Sequence, residues 1–251
     1  MIEVKNITKS FDGKTILHSV DAQFHAGKTN LIIGQSGSGK TVLMKSIVGL
    51  VEPEEGEILY SGRDVMKMNS EQIKELRKEI GMLFQGSALF DYETVLGNVM
   101  FPLVMFTNMT QAEMRDRALF CLERVNLKGA DKKYPSELSG GMQKRVAIAR
   151  AIALNPKYLF CDEPNSGLDP KTSLVIDDLI HDITSEYKMT TIINTHDMNS
   201  VMGIGDSIIY IYEGHKEWEG TKDEVFNATN QRLNDFIFAS DLLKKVKKEN
   251  Q

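Results

Sequence analysis

The pattern of apolar positions contains four short runs, and each of them ends at a polar residue. The runs read LIIG, IGMLF, YLFC and TTIINT. Continuous apolar runs of this length are typical of strands buried on both faces of a parallel sheet. Ligands bind at the carboxyl ends of such strands, so the residues after the runs should share one site. They are the loop from Gly34 to Thr41, Gln85, the pair Asp162-Glu163, and His196.

Helical segments separate these runs and carry clear start signals. The segment NSEQIKELRKEI follows a polar start, and capping boxes beginning at Thr110 and Thr221 predict two more helices. The run VAIARAIAL predicts a helix that stops at Asn155-Pro156. The sequence therefore alternates strands with helices, which is typical of an α/β protein.

Two segments have the pattern of hairpin-like strands instead. They are the first 30 residues, with a turn at Asp12-Gly13, and the stretch EGEILYSGRDV, with a turn at Ser61-Gly62. No internal repeat, low-complexity tract or long linker interrupts the chain.

The composition is that of an ordinary globular protein, since 41% of the 251 residues are hydrophobic and 26% are charged. This length suits one large α/β domain or two small ones. No apolar stretch approaches the roughly 18 residues that span a bilayer, and the N-terminus lacks the apolar core of a signal peptide. We therefore expect a protein without a membrane span.

The net charge and the cysteines indicate which partners and which cellular compartment to expect. The net charge of −5 argues against nucleic acid as the main partner. Cys121 and Cys161 lie inside apolar runs without a CxxC pair, which indicates reduced, buried thiols in a cytosolic protein. The tail DLLKKVKKENQ is basic, and it is interpreted either as a solvated end or as a foothold on an anionic membrane surface.

The strongest motif is the loop GQSGSGKT, which fits G-x-x-x-x-G-K-[ST] between a predicted strand and a predicted helix. Its backbone N–H groups should wrap the phosphates of a nucleoside triphosphate, with Lys40 on the terminal phosphates and the Thr41 hydroxyl on Mg²⁺. A G-x-G-x-x-G pattern does not follow the strand, so a Rossmann dinucleotide site is disfavoured. The candidate nucleotide-binding residues are Gly34, Gln35, Ser36, Gly37, Ser38, Gly39, Lys40 and Thr41.

The acidic pair Asp162-Glu163 provides candidate residues for binding Mg²⁺ and for activating water. Asp162 can hold Mg²⁺, and Glu163 can polarise an attacking water; the alternative is a turn or a helix cap. The placement of Gln85 and His196 at strand ends favours water positioning and γ-phosphate sensing. The other four histidines have no ligand-like spacing and are assigned structural roles.

A second phosphate-seeking helix start lies at LSGGMQKR, residues 138–145, where a serine-glycine-glycine turn precedes an apolar helix. Bare N–H groups at a helix start attract phosphate. The sequence thus contains two such starts, and one nucleotide does not account for both.

In this order, Phe11, GQSGSGKT, Gln85, LSGGM, YLFCDEP, SGLD and THD resemble the motifs of an ABC-type ATPase over residues 1–226. The resemblance implies a P-loop NTPase core with a mainly parallel sheet, an N-terminal antiparallel β subdomain and an inserted helical subdomain at about 86–150. It implies an ATP-binding domain over 1–228 and a C-terminal tail over 229–251.

The resemblance also explains the second helix start. In this family two ATP-binding subunits meet head to tail, and the LSGG turn of one closes over the ATP of the other. Ser139, Gly140 and Gly141 would contact that γ-phosphate, and Asp169 would couple the two sites. Phe11 would stack on adenine, with ordinary core packing as the alternative. The implied Mg²⁺ ligands, beside the phosphates, are Thr41, Gln85 and Asp162.

Two details resemble the ATPase of Mla-type transporters, which maintain lipid asymmetry. Met142 replaces the glutamine of the common LSGGQ signature, and GSALFDYETVLGNVMFPL follows Gln85. The resemblance implies phospholipid transport between the inner and outer membranes. The end of the chain, DFIFASDLLKKVKK, departs from that subfamily.

A methionine-rich segment follows Gln85 and suits a groove for a partner's helix, with core filler as the alternative. Its methionines are Met100, Met105, Met109 and Met114. The expected partners are a second copy of the chain, an integral membrane permease and a lipid-binding accessory protein, at the cytoplasmic face of the inner membrane.

Three alternatives remain open. The cargo could be a small solute or a lipoprotein. The chain could be a soluble ABC protein of translation or DNA repair, although it has one cassette and no long insertion. It could also be a non-transport regulatory ATPase of envelope remodelling.

Overall fold

The computed structural model describes residues 1–239, so the expectation for the basic cluster from Lys244 to Lys248 lies outside the described residues. Contacts divide the chain into two compact units. The first consists of Met1–Met68 together with the residues from 192 onward, and the second is Asn69–Thr191. The domain boundaries expected from the sequence stay predictions.

The strands alternate with helices along the chain. The strands are β1 (Ile2–Phe11), β2 (Lys14–Phe24), β3 (Thr29–Ile33), β4 (Glu55–Tyr60), β5 (Arg63–Asp64), β6 (Ile80–Leu83), β7 (Tyr158–Asp162), β8 (Thr190–Thr195), β9 (Ser207–Tyr212) and β10 (His215–Gly220). The helices are α1 (Lys40–Val48), α2 (Ser70–Lys78), α3 (Val95–Phe106), α4 (Gln111–Arg124), α5 (Gly140–Ala151), α6 (Pro170–Tyr187), α7 (Met198–Ile204), α8 (Lys222–Val225) and α9 (Gln231–Ile237).

The first unit contains an antiparallel sheet with the strand order β2-β1-β4-β5. Its two hairpin turns are the ones that the sequence predicts. Asp12-Gly13 and Ser61-Gly62 all have positive φ values, between 49° and 80°, which two-residue hairpin turns of the primed type require. The N-terminal antiparallel β subdomain is therefore confirmed.

A second sheet is mainly parallel, and the four apolar runs form four of its strands. In the first unit the order is β10-β9-β3-β8, with β3 parallel to β9 and β10 antiparallel at the edge. In the second unit β6 is parallel to β7. Every residue of β3 and β8 is buried, as expected for strands covered on both faces.

Side-chain caps begin the helices at the predicted positions. Asn69 caps α2, and its side chain accepts a hydrogen bond from the Gln72 N–H in a capping box. Thr110 and Thr221 form the expected capping boxes of α4 and α8. These caps satisfy backbone N–H groups that have no partner inside the helix.

Helix α5 ends earlier than the sequence predicts. The pattern predicted an end at Asn155, whereas the helix ends at Ala151 and the chain after it forms tighter turns. The Arg117 side chain of α4 donates hydrogen bonds to the carbonyls of Ile152 (3.0 Å) and Ala153 (2.9 Å). The guanidinium of a residue far away in the sequence therefore provides the hydrogen bonds for carbonyls after the end of α5. The local sequence pattern predicted that these carbonyls would bond within the helix.

Part of the predicted tail is folded. In α9 the side chains of Leu233 and Ile237 are buried, and the Phe236 ring stacks on Tyr210 of β9 at 5.4 Å. Among the described residues, the helices are all too short or too polar to cross a membrane.

Candidate functional site

The glycine loop connects β3 to α1, and its backbone conformation requires glycine. Gly34, Gly37 and Gly39 have φ values of 151°, 79° and 106°, which side chains disfavour. A Cβ atom on Gly34 would also lie 2.2 Å from the Ile211 carbonyl oxygen. Both the backbone conformation and the packing of Ile211 therefore require glycine at Gly34.

The first turn of α1 presents bare backbone donors. Its cap, Gly39, provides no side-chain hydrogen bond, and the first turn contains no acidic residue. The Ser38 hydroxyl is buried and has no hydrogen-bond partner among the described residues. Uncapped N–H groups and an unpaired buried hydroxyl together suit an anionic ligand such as phosphate.

Lys40 and Thr41 are the first two residues of α1. The Lys40 ammonium is 6% exposed and donates hydrogen bonds to the carbonyls of Gly34 and Gln35, both at 2.9 Å. The Thr41 hydroxyl accepts a hydrogen bond from the amide of Asn194, a fully buried residue of β8. Asn194 is not among the predicted site residues, because one asparagine inside an apolar run belongs to no motif.

Phe11 and His196 lie at strand ends in the first unit. Phe11 is the last residue of β1 and is 43% exposed, so the alternative of ordinary core packing is wrong. The Lys9 ammonium lies 5.1 Å from the centre of its ring. His196 directly follows β8 and is exposed. Both side chains are accessible to a ligand.

In the second unit, Asp162 and Glu163 end β7. Asp162 is its last residue, and Glu163 has a φ of 47°, an unusual conformation for a residue with a side chain. The pairing of Leu83 with Cys161 places Gln85 and Asp162 at the same end of two parallel strands. Strained backbone in such a place is typical of functional residues.

The buried strand behind this acidic pair contains a shielded thiol. Cys161 is fully buried, and burial raises the pKa of its thiol far above the ordinary value. Burial also raises the pKa of Cys121, to about 11. Both thiols therefore stay protonated, as the apolar sequence context predicts.

The turn before α5 packs tightly on α6. Ser139 caps α5 by accepting a hydrogen bond from the Met142 N–H at 3.3 Å. A Cβ atom on Gly141 would lie 2.5 Å from the Thr172 methyl carbon, so this position needs glycine for helix packing. Asp169 caps α6 through the Thr172 N–H at 3.0 Å, and hydrogen bonds from Thr172 lower the pKa of its carboxyl group.

Gln85 is connected to two other segments of the second unit. Its side-chain amide donates a hydrogen bond to the Ser166 hydroxyl at 3.2 Å. Its carbonyl accepts a hydrogen bond from the Lys144 ammonium on α5. Lys144 itself is buried, at 4% exposed.

Asn98 is a second residue that sequence reasoning missed. Its fully buried side chain accepts a hydrogen bond from the Phe90 N–H at 2.8 Å and donates to the Phe90 carbonyl at 3.1 Å. It lies on α3, inside the region of about 86–150 where the resemblance implies a helical subdomain, although the run is almost wholly apolar and contains Gly97 and Pro102. An isolated asparagine in such a run was its only signal.

The methionines after Gln85 divide between surface and core. Met105 and Met109 are 57% and 42% exposed, whereas Met114 is buried at 8%. Val104, Phe101 and Phe120 are also exposed large apolar side chains of α3 and α4. Met114 thus fits the alternative of core filler, and the groove for a partner's helix stays a prediction for Met105 and Met109.

Comparison with known proteins relates this geometry to a family. The sequence model of the ABC transporter family matches residues 17–166. The intermembrane phospholipid transport system ATP-binding protein MlaF of Haemophilus influenzae is 39% identical over 94% of the chain and 90% of the relative. The probable ribonucleotide transport ATP-binding protein mkl of Mycobacterium leprae is 37% identical over 94% and 68%.

A solved structure shares the fold. It is a dimeric ATP-binding cassette in a post-hydrolysis state bound to ADP and Pi, with a TM-score of 0.81 and 35% identity. The match covers 88% of the chain and 99% of that structure. The expected fold class, a cassette with an antiparallel N-terminal sheet, a mainly parallel sheet and a helical part, is confirmed.

Proposed function

The chain belongs to the ABC transporter family and is an ATPase, and from this premise we propose that it energises phospholipid transport between membranes. The observation that carries the cargo is the 39% identity to MlaF, which extends over 90% of that relative. The motif GSALFD and the signature LSGGM, on which the resemblance rested, lie within the same stretch.

ATP is proposed to bind at the glycine loop. The bare N–H groups of α1, the buried Ser38 hydroxyl and the Lys40 ammonium provide donors for its phosphates. Phe11 offers an exposed ring for adenine. The positive φ values of the glycines let the backbone approach the phosphates closely.

Mg²⁺ fits the oxygen donors that the sequence assigns to it. They are the hydroxyl of Thr41, the amide oxygen of Gln85 and the carboxylate of Asp162, and hard oxygen ligands are those that Mg²⁺ prefers. When bound, the ion neutralises charge on the β- and γ-phosphates. Thr41 is already oriented by Asn194, and Gln85 by Ser166.

Glu163 is proposed as the general base of hydrolysis. Its strained backbone, directly after a buried strand, fixes the direction in which the carboxylate leaves the strand. A fixed carboxylate can take the proton from an attacking water as the water oxygen bonds to the γ-phosphorus. The bond from that phosphorus to the bridging oxygen breaks in the same reaction, which releases ADP and phosphate. Gln85 and His196 are assigned to water positioning and γ-phosphate sensing.

A second copy of the chain is the proposed partner at the LSGG turn. Ser139, Gly140 and Gly141 form a helix start, and Asp169 lies on the neighbouring helix cap. The related cassette was solved as a dimer, which supports a head-to-tail arrangement for this chain.

We expect ATP to drive dimerisation when hydrolysis is blocked. The Glu163→Gln variant should be a monomer or weak dimer without nucleotide and should double its mass with Mg-ATP, because the LSGG turn reaches a γ-phosphate only in the partner. Sedimentation velocity measures the change. A Ser139→Trp, Glu163→Gln double variant is the control and should stay monomeric. A mass that ATP leaves unchanged, with the permease present, would contradict the model.

The permease is the proposed second partner, and it places the chain at the cytoplasmic face of the inner membrane. The exposed apolar side chains of α3 and α4, with Met105 and Met109 among them, provide a surface for it. A lipid-binding accessory protein is the proposed third component. Co-purification of a small integral membrane protein supports transport, whereas the absence of any membrane protein favours a regulatory ATPase.

The cargo is testable in cells. Deleting the gene should disturb outer-membrane lipid asymmetry and raise sensitivity to detergent, because phospholipid would no longer be moved. A wild-type copy should restore resistance, and a Lys40→Ala copy is the matched control that should not. A normal envelope, with lost uptake of a small solute such as a ribonucleotide, would favour the alternative that the similarity to mkl supports.

A further inference from the structure

The loop that contains Gln85, residues 85–90, has a strained backbone and is bound by side chains from another part of the chain. Ser87 and Ala88 have φ values of 61° and 49°, so two successive residues with side chains adopt the left-handed conformation. Inside the loop, the Ser87 N–H donates to the Phe84 carbonyl at 2.9 Å. Such a conformation persists only when surrounding contacts enforce it.

Two cations of α5 provide these contacts. The Lys144 ammonium donates to the Gln85 carbonyl, and the Arg150 guanidinium donates to the carbonyls of Ser87 (2.8 Å) and Ala88 (2.7 Å). Arg150 also lies over the Phe90 ring at 5.8 Å. The loop is therefore attached at two points to the helix that begins with the LSGG turn.

The environment of Lys144 is unusual for a lysine. The residue is 4% exposed, and burial lowers the pKa of its ammonium, while Cys161, Asp162 and Glu163 act in the opposite direction. A buried ammonium is unfavourable unless it is hydrogen-bonded or paired, so this contact is specific. The same loop reaches Ser166, which in turn donates its N–H to the Glu163 carbonyl at 3.1 Å.

We propose that Lys144 is a positioning residue for ATP hydrolysis, and that it acts by holding the Gln85 carbonyl to α5. With the carbonyl fixed, the Gln85 side chain keeps its direction toward Ser166 and the segment that follows Glu163. Lys144 lies on the helix that begins with the LSGG turn, so a movement of that turn is passed through Lys144 to Gln85. The proposal rests on the role of Gln85 given above.

The test compares Lys144→Met in the full chain with Lys128→Met, a control at an exposed lysine paired with Glu123. In Lys144→Met we expect kcat for ATP to fall about tenfold or more, with nucleotide affinity within about twofold, because orientation rather than binding is lost. Amide hydrogen exchange of residues 85–90 should accelerate, and Lys144→Arg should recover part of the rate. Lys128→Met should match the wild type in all three measurements.

A double-mutant cycle separates this inference from the proposed function. If Lys144 acts through Gln85, Lys144→Met should reduce kcat little further in a Gln85→Ala background. Additive losses, an unchanged kcat, or a loss of rate with unchanged hydrogen exchange would each overturn the positioning role and leave the ATPase assignment intact. Absence of ATP hydrolysis by the wild-type chain with its permease would instead refute the proposed function.

Discussion

Replacing Glu163 with glutamine should lower the rate of ATP hydrolysis by about 10²–10⁴-fold while ATP still binds. The substitution keeps the shape and hydrogen bonding of the side chain but removes its ability to accept a proton. The glycine loop and Thr41 are unchanged, so nucleotide affinity should stay close to that of the wild type. Single-turnover hydrolysis and equilibrium nucleotide binding measure the two effects separately.

The matched control for this variant is Glu123→Gln, which removes an exposed carboxylate of α4 that pairs with Lys128. It should hydrolyse ATP at the wild-type rate. Near wild-type hydrolysis by Glu163→Gln would show that the general base is another group, and His196 would be the next candidate.

Replacing Lys40 with alanine should weaken both ATP binding and turnover. The Lys40 ammonium lies against the Gly34 and Gln35 carbonyls. The substitution removes this positive charge, which would neutralise the terminal phosphates of bound ATP. A hydrogen bond to a charged group contributes about 1.5–3 kcal/mol, so affinity should fall roughly 10- to 150-fold. Isothermal titration calorimetry with a non-hydrolysable ATP analogue measures this loss.

Lys45→Ala is the control for Lys40→Ala, since Lys45 lies on the same helix but is exposed in its last turn. It should bind the analogue as the wild type does. Thermal unfolding of both variants separates a loss of affinity from a loss of folded protein. Unchanged affinity in folded Lys40→Ala would contradict the assignment of the loop.

The sequence predicted the elements whose signal is local. The four apolar runs became β3, β6, β7 and β8. Strands β3 and β8 are buried along their whole length, as strands covered on both faces are, whereas the burial of β6 alternates. Capping boxes located α4 and α8, since the reciprocal side-chain bonds involve residues only three apart. The hairpin turns at Asp12-Gly13 and Ser61-Gly62 were also predicted from a local signal, the glycine in each turn.

Features that depend on distant partners were not predictable. The end of α5 is determined by Arg117 on another helix, and α3 lacked a helical period because most of its positions are apolar. Burial of Lys144 could not be inferred from charge alone. It depends on the Gln85 carbonyl, 59 residues earlier in the chain.

Two glycines of the candidate site also combine a local sequence signal with a contact to a distant residue. Gly34 was expected from the loop motif, and its contact with Ile211 adds a steric requirement. Gly141 was expected to contact phosphate, yet the approach of Thr172 would require glycine there even without a ligand. The motif thus located the residue but did not reveal this packing reason for it.

The shielding of both cysteines has a practical consequence for studying this ATPase. The thiolate is the form that reacts with alkylating reagents and peroxides, and Cys121 and Cys161 are buried with raised thiol pKa values. The folded protein therefore presents no reactive native thiol. A single cysteine placed on its surface would take a maleimide fluorophore or spin label selectively, without a cysteine-free background, and oxidative stress would leave the strand behind Asp162 chemically intact.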